Sequence, residues 1–320
     1  MLRILISLIS LVAVSGSFER FKLWMTEFDI KFNESHIHEM FVKWTDNDNI
    51  INVSNAQGLP YALGHNHFSG MDRNDFQEYL NSEYQIKISR NFKSPINDFL
   101  PESINWVENG AVTDVKDQKQ CGSCWSFSAT GALEGAYYIK YDTLESFSEQ
   151  QLVDCDNWKR GGKDHGCNGG LMDNAFSWIS KNGGICSEYS YPYTGADNEC
   201  KSCAIVPNSK IINWVDVIPS SDSAMMAALS LQPVSIAIEA DQPEFQLYKS
   251  GVYTAKCGTK LDHGVLAVGY GSFNGLDYYM VKNSWSKSWG SDGYILLGRG
   301  GYNGVDGQCG MLLQASYPLL

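Results

Sequence analysis

Cys124 opens a stretch in which Ala129, Ala132, Leu133 and Ala136 place small and apolar residues at helical spacing. The spacing predicts a helix from Cys124 to about Tyr141. Cys124 then stands at a helix N-terminus, where unpaired backbone N–H groups and the helix dipole favour a thiolate over a thiol. A thiolate is a nucleophile, and it needs a base or cationic partner held ready beside it. Far downstream the chain supplies an imidazole in Asp262-His263-Gly264 and an amide in Asn283-Ser284-Trp285. Gln118, shortly before Cys124, carries a side-chain NH₂ suited to a developing negative oxygen.

The run Gln118-Lys119-Gln120-Cys121-Gly122-Ser123-Cys124-Trp125, followed in order by His263 and Asn283, resembles the papain family of cysteine proteases, in its cathepsin L-like branch. The resemblance covers nearly the whole chain and implies roles. Cys124 attacks a peptide carbonyl, and His263 stabilises the thiolate and protonates the leaving amine. Asn283 orients the imidazole, as a carboxylate does in serine triads. Gln118 and the Cys124 backbone N–H stabilise the oxyanion. Trp285 and Trp289 shield the His263–Asn283 hydrogen bond from water. Lys119 and Ser286 stand where the family carries glycine. If Ser286 needs positive φ, serine there is strained; an exposed, screened side chain is the plainer reading of Lys119.

The same resemblance places a substrate groove along Gly169 and Gly170, where a peptide pairs as an added strand and Gly170 permits close approach. Leu171, Met172, Ala237, Leu261, Asp262, Gly264 and Trp285 belong to the substrate site. Its apolar pocket implies Leu, Phe or Val at the second residue before the scissile bond. Gln314 falls at the pocket floor and, being neutral, should not draw in Arg. The loop Lys159–Lys163 lies at the groove edge, where a preference for acidic groups competes with the plainer reading of a solvated loop. Endopeptidase rather than exopeptidase activity is expected. The rival reading is a catalytically inactive papain-fold binding or inhibitory homologue.

Nine cysteines all follow residue 120. Sequence alone leaves their pairing open; the resemblance pairs Cys121 with Cys167, Cys155 with Cys200 and Cys257 with Cys309, and a bridge between Cys186 and Cys203 is a guess. A redox reading of Cys121 and Cys124 is disfavoured because many other cysteines compete. A zinc reading is disfavoured because His165 and Cys167 have no second ligand pair. No metal or cofactor is expected.

The elements that must position these residues follow from the rest of the 320-residue chain. Met1–Ser17 reads as a secretory signal peptide: Arg3, an apolar core Ile4–Val14, then small residues. It is too short for a membrane span, and disulfides suit the secretory pathway it implies. A lysosome or acidic vacuole, or the extracellular space, is the expected location. The formal net charge of −12 argues against nucleic acid as a partner.

Residues 18–99 contain no cysteine and differ in texture from the rest, with Asn91–Phe99 as the junction. Phe18–Asn33, His36–Asn55 and Asp72–Asn81 read as helices, and Pro60–Gly70 as extended. Trp44, Asn47, Ile51 and Asn55 resemble the spacing of the family's inhibitory propeptide helix, whereas His36 and Met40 replace its Glu and Arg. Gly64, Asn66 and Phe68 fit a second propeptide pattern whose aspartate is here Gly70. The expected ionic contacts are therefore partly gone. His36, His38, His65 and His67 are either ordinary exposed histidines, the plainer reading, or loosen the propeptide on protonation below about pH 6.5. Asn33 and Asn52 head N-glycosylation sequons.

The fold implied by the resemblance is α+β: a helical propeptide (18–99), then a papain-like two-domain unit (100–320). Its first domain is helical around Cys124. Its second, roughly 216–310, is a β-barrel-like sheet with strands Val234–Ile238, Val265–Tyr270, Tyr278–Lys282 and Gly293–Leu297. The partners implied are polypeptide substrates, the chain's own propeptide and cystatin-like inhibitors; a monomer is expected.

Overall fold

The computed structural model describes residues 16–31, 34–80, 100–301 and 304–320. The signal segment up to residue 15, the Asn33 sequon and the Asn91–Phe99 junction lie outside them.

The N-terminal segment contributes a helix α1 (16–27), α2 (Ile37–Asn55), a short strand β1 (Tyr61–Leu63) and α3 (Arg73–Leu80). Helix α1 is shorter than expected, because the chain turns at Asp29, which has φ 48. Its Phe21, Trp24 and Met25 close on Trp44 of α2 in a small core of their own. Asn47 of α2 donates to the carbonyls of Ser69 and Met71, and Asn55 exchanges hydrogen bonds with both Leu63 N–H and Leu63 O. These amides saturate backbone groups of a segment too short to pair fully with itself.

Among the described residues His36 and Met40 supply no ion pair where the family carries Glu and Arg, and other charges tie the segment together. Arg20 grips Asp48 through two bonds of 2.9 and 2.8 Å, and Lys43 lies 2.7 Å from Asp75 and 3.0 Å from Glu39. A Cβ on Gly70 would stand 2.9 Å from Met40 Cγ and 2.9 Å from the Trp24 ring. The thioether fills the space that a side chain at 70 would need, so the two departures from the family pattern fit one another. Asn52 is exposed on α2, with its amide on Asp48.

After β2 (Ile104–Asn105), the helical half comprises α4 (Cys124–Tyr141), α5 (Glu149–Cys155) and α6 (Met172–Asn182). Then come β3 (Asn213–Asp216), α7 (Asp222–Leu229), β4 (Val234–Ile238), α8 (Pro243–Gln246), β5 (Tyr248–Tyr253), β6 (His263–Phe273), β7 (Leu276–Lys282), β8 (Tyr294–Gly298) and β9 (Ala315–Leu319). A nine-stranded sheet runs β1-β5-β8-β7-β6-β4-β9-β3, with β2 pairing β6. It reaches beyond the expected 216–310, because β2 and β9 bring in the ends of the catalytic unit and β1 adds the N-terminal segment at one edge.

Helix α4 lies directly on this sheet. Its Gly131 and Gly135 make the approach possible, since a Cβ would stand 2.8 Å from Leu266 at one and 2.5 Å from Pro233 at the other. Ser128 donates to Val265 O at 2.7 Å, and Ser235 donates to Ser128 O at 2.8 Å. Where the halves meet, Lys116 bonds Glu134 of α4 at 2.9 Å and Glu149 of α5 at 2.6 Å, while Thr113 joins Glu134 to Lys282 of β7.

Candidate active site

Cys124 is the first residue of α4, buried, and the one cysteine outside the bridges Cys121–Cys167, Cys155–Cys200, Cys186–Cys203 and Cys257–Cys309. His263 is the first residue of β6, and Asn283 follows the last of β7. The antiparallel pairing of Leu266 with Lys282 brings both to one end of the sheet. Nε2 of His263 lies 2.8 Å from Asn283 Oδ1, which also accepts from Ser284 N–H at 2.8 Å. An amide oxygen only accepts, so Nε2 carries the hydrogen. Nδ1 is then the basic atom, and it makes no hydrogen bond among the described residues.

The imidazole stacks on Trp285 with centroids 4.5 Å apart, and Trp289 meets Trp285 edge-on at 5.0 Å. Trp289 therefore buttresses the shielding ring from behind. Burial pulls the His263 pKa down to about 4 against the pull of Asn283. The neutral imidazole is the stable form while the site is covered.

The cover is the N-terminal segment. Phe68, Phe76 and Tyr79 meet the Trp285 ring edge-on at 5.2, 5.4 and 6.2 Å. Tyr79 is buried at the same site, and burial, with Asp117 and Cys124 acting in the same direction, raises its phenol pKa.

Gln118 is held at every polar atom. Its N–H donates to Ser284 O at 2.9 Å, Nε2 donates to Cys121 O at 3.0 Å, and Oε1 accepts from the Ser284 hydroxyl at 2.7 Å. Because Cys121 O can only accept, the amide orientation is fixed. The second Nε2 hydrogen remains for a substrate oxygen. Lys119 and Ser286, the two residues in place of glycine, both have positive φ, 54 and 65.

Leu171, Met172, Ala237 and Leu261 gather in one apolar cluster with Cys124. Ala237 N–H donates to Gln314 O at 3.0 Å, which places Gln314 behind the cluster, and Gly264 follows His263 on β6. Asp262 accepts from Ala240 N–H at 2.7 Å, and burial raises its pKa to about 8. Gly169 takes φ 105, its carbonyl engaged by His165 N–H.

Gly170 has a packing reason of its own to be glycine: a Cβ there would stand 2.6 Å from the Trp125 ring and 2.8 Å from the Asp164 carboxyl carbon.

Residues 100–319 match the papain family cysteine protease model, and residues 21–76 match the cathepsin propeptide inhibitor domain. The chain belongs to the papain family. It is 42% identical over 93% of its length to the probable cysteine protease RD21B of Arabidopsis thaliana, and spans 66% of that relative, just under two thirds. It is 40% identical to cysteine proteinase COT44 of Brassica napus, with 88% of each chain covered. The proform of the Amb a 11 cysteine protease, a ragweed pollen allergen, superposes with a TM-score of 0.88. That likeness has 37% identity and covers 96% of this chain and 95% of the other.

Three groups in this papain-family site carried no signal in the sequence reading. Ser284 orients the Gln118 amide, although it sits inside the Asn283 motif. Asp164 accepts from Leu171 N–H at 3.0 Å and faces Asp156. Burial and the neighbouring carboxylate raise the Asp164 pKa to about 9, so one proton is shared beneath the groove wall. Tyr193 comes from a loop far along the chain, and no spacing rule connects it to Gln118.

Proposed function

We propose that the chain is a cysteine endopeptidase made as a zymogen, with Cys124 as nucleophile, His263 as acid–base, Asn283 as orienter and Gln118 as oxyanion donor. The observation that carries this is the fixed Nε2–Asn283 bond, which leaves Nδ1 as the basic atom of an imidazole at the Cys124 end of the cleft. Cys124 Sγ attacks the peptide carbonyl carbon, and its oxygen becomes an oxyanion facing Gln118 Nε2 and the Cys124 N–H. Imidazolium Nδ1–H protonates the amine as the C–N bond breaks, leaving a thioester. A water then attacks, giving its proton to Nδ1, and expulsion of the thiolate releases the acid.

The apolar cluster supports a preference for Leu, Phe or Val at the second residue before the scissile bond. At the outer edge, a hollow of about 560 Å³ is lined by Trp158, Lys159, Arg160 and His165 together with Asp154 and Asp197, a mixed-charge surface that suits larger polar groups. Disulfides and the signal-like N-terminus support passage through the secretory pathway to an acidic vacuole or lysosome, or to the exterior. Polypeptides, the chain's own propeptide and cystatin-like inhibitors are the partners of such a site.

The test is hydrolysis of a Leu-Arg fluorogenic amide after incubation at acid pH, comparing wild type with Cys124→Ala. Activity in wild type alone, appearing only after acid treatment, is expected. A folded, processed and inactive wild type would favour the inactive binding homologue, with Ser286 the first suspect.

A further inference from the structure

Tyr193 belongs to none of the motifs picked out in the sequence above, yet its phenol is spent inside the site. The hydroxyl donates to the main-chain carbonyl of Gln118 at 2.8 Å and lies 2.6 Å from the hydroxyl of Ser123. A phenol has one hydrogen to give, so Ser123 is the donor in the second contact. A hydrogen-bonded chain therefore runs from Ser123 Oγ through Tyr193 Oη to Gln118 O. Gln118 carries one oxyanion donor in its side chain. Ser123 shares a peptide bond with the other, the N–H of Cys124.

Several features show the phenol acting as a brace. Ser123 occupies the N-cap of α4 without any side-chain capping bond, although serine there ordinarily accepts from the first turn. Its hydroxyl is turned to Tyr193 instead. The peptide joining Gln118 to Lys119 precedes a residue held at φ 54, a conformation side chains seldom adopt. Both ends of that peptide are clamped, the carbonyl by Tyr193 and Lys119 N–H by Asp117 Oδ1 at 2.9 Å. The Tyr193 ring packs edge-on against Phe127 at 4.8 Å, and its own N–H is fixed by Glu188 at 2.7 Å. Burial raises the phenol pKa above its usual range, so the hydroxyl keeps its hydrogen at any working pH.

We propose that Tyr193 is a positioning residue for the oxyanion hole, setting the distance between the Gln118 side-chain donor and the Cys124 N–H through one shared hydroxyl. The inference rests on the proteolytic reading above. It predicts an effect confined to the oxyanion, because Tyr193 makes no bond to His263 or Asn283.

The experiment uses self-processed enzyme from the full chain carrying Tyr193→Phe, which keeps the ring on Phe127 and removes only the oxygen. The expected kcat is about 10- to 100-fold lower, with KM within about threefold. A peptide aldehyde, whose hemithioacetal oxygen occupies the same hole, should bind more weakly by a similar factor. The pH profile of Cys124 alkylation by iodoacetamide should not move, since the thiolate and its imidazole are untouched. In a Gln118→Ala background the same substitution should cost at least about fivefold less, because the donor it positions is gone.

An unchanged kcat overturns the proposal. So does an equal loss in both backgrounds accompanied by a shifted alkylation profile, which would mean general support of the fold. Should Tyr193→Phe fail to self-process, Ser123→Ala carries the test. It should lower kcat by about 3- to 10-fold with the same unmoved profile, and no loss would overturn the brace. A wild type that cleaves nothing would sink the proteolytic reading itself; variants that match an active wild type would sink this inference alone.

Discussion

Nδ1 of His67 lies 3.2 Å from the Ser288 hydroxyl, across the junction between propeptide and catalytic unit. Burial pulls the His67 pKa down to about 4, with Asp117 opposing. His65 is stacked on Trp44 at 4.5 Å and bonded to Asp48 at 3.2 Å. Burial lowers its pKa too, against Asp48 and Glu27 and with Arg20. His36 and His38 are exposed, so the four histidines of the propeptide segment divide into two on the surface and two in contacts that release would expose.

The seated propeptide binds fewer protons than the released one between the free histidine pKa of about 6.5 and about 4, so its hold weakens as pH falls through that window. His263, buried and neutral beneath the cover, works in the same direction. His67→Gln should move the pH of half-maximal self-processing down by about half a unit or more. His36→Gln with His38→Gln should leave it in place. An unmoved midpoint in the first variant would remove His67 as a sensor.

Asn283 Oδ1 accepts from both His263 Nε2 and Ser284 N–H. Asn283→Ala frees the ring to rotate on Trp285 and leaves Nε2–H without its partner in a dry site. A charge-assisted bond of about 1.5–3 kcal/mol corresponds to roughly a 10- to 100-fold loss in kcat/KM. Asn283→Gln should not restore the activity, because the longer side chain misplaces the oxygen. Full activity in Asn283→Ala would show that Trp285 alone fixes the ring.

Glu134 is buried and accepts from Lys116, Thr113 and the Phe147 N–H. It ties α4 to β7, the strand that ends at Lys282 just before Asn283, through Thr113 and Lys282. Burial lowers the Lys282 pKa to about 8, which marks how dry the junction is. Glu134→Ala strands Lys116 and Lys282 with half their compensation, and breaking such a buried pair costs about 3–5 kcal/mol. Urea unfolding of the proform should show that loss as a lowered midpoint. A shift equal to that of a surface Glu→Ala control would mean that water already enters the junction.

Local signals were legible in the sequence, and partnerships across the fold were not. Helix α4 begins at Cys124 and ends at Tyr141 as its spacing predicts, and β4 is Val234–Ile238 as read. Both elements announce themselves within their own length. Met40 and Gly70 looked like two losses of the propeptide pattern because each was compared with the family separately, whereas in space one fills the gap left by the other. Arg20 and Asp48 form an ion pair across two helices, so neither falls at a position where the family's charges are spaced. The packing demand on Gly170, whose Cβ would meet Trp125, was not legible, because that direction depends on where α4 packs. Tyr193 serves Gln118 only through the loop that returns it to the start of α4.

Ser286 offers the sharpest separation between strain and loss of function. Its φ of 65 is the left-handed region, its N–H donates to Lys116 O at 3.0 Å, and its hydroxyl accepts only weakly from Ser288 N–H at 3.3 Å. The backbone bond holds the conformation, and the side chain contributes little to offset the strain. Ser286→Gly should therefore stabilise the protein by about 1 kcal/mol, raising Tm by roughly 2–4 °C. The segment Asn283–Ser284–Trp285 is anchored independently, by His263, Gln118 and the ring stack, so kcat should stay within about twofold. A large rise in kcat on Ser286→Gly would mean instead that strain reaches Trp285 and displaces the imidazole, and that the serine tunes the enzyme down.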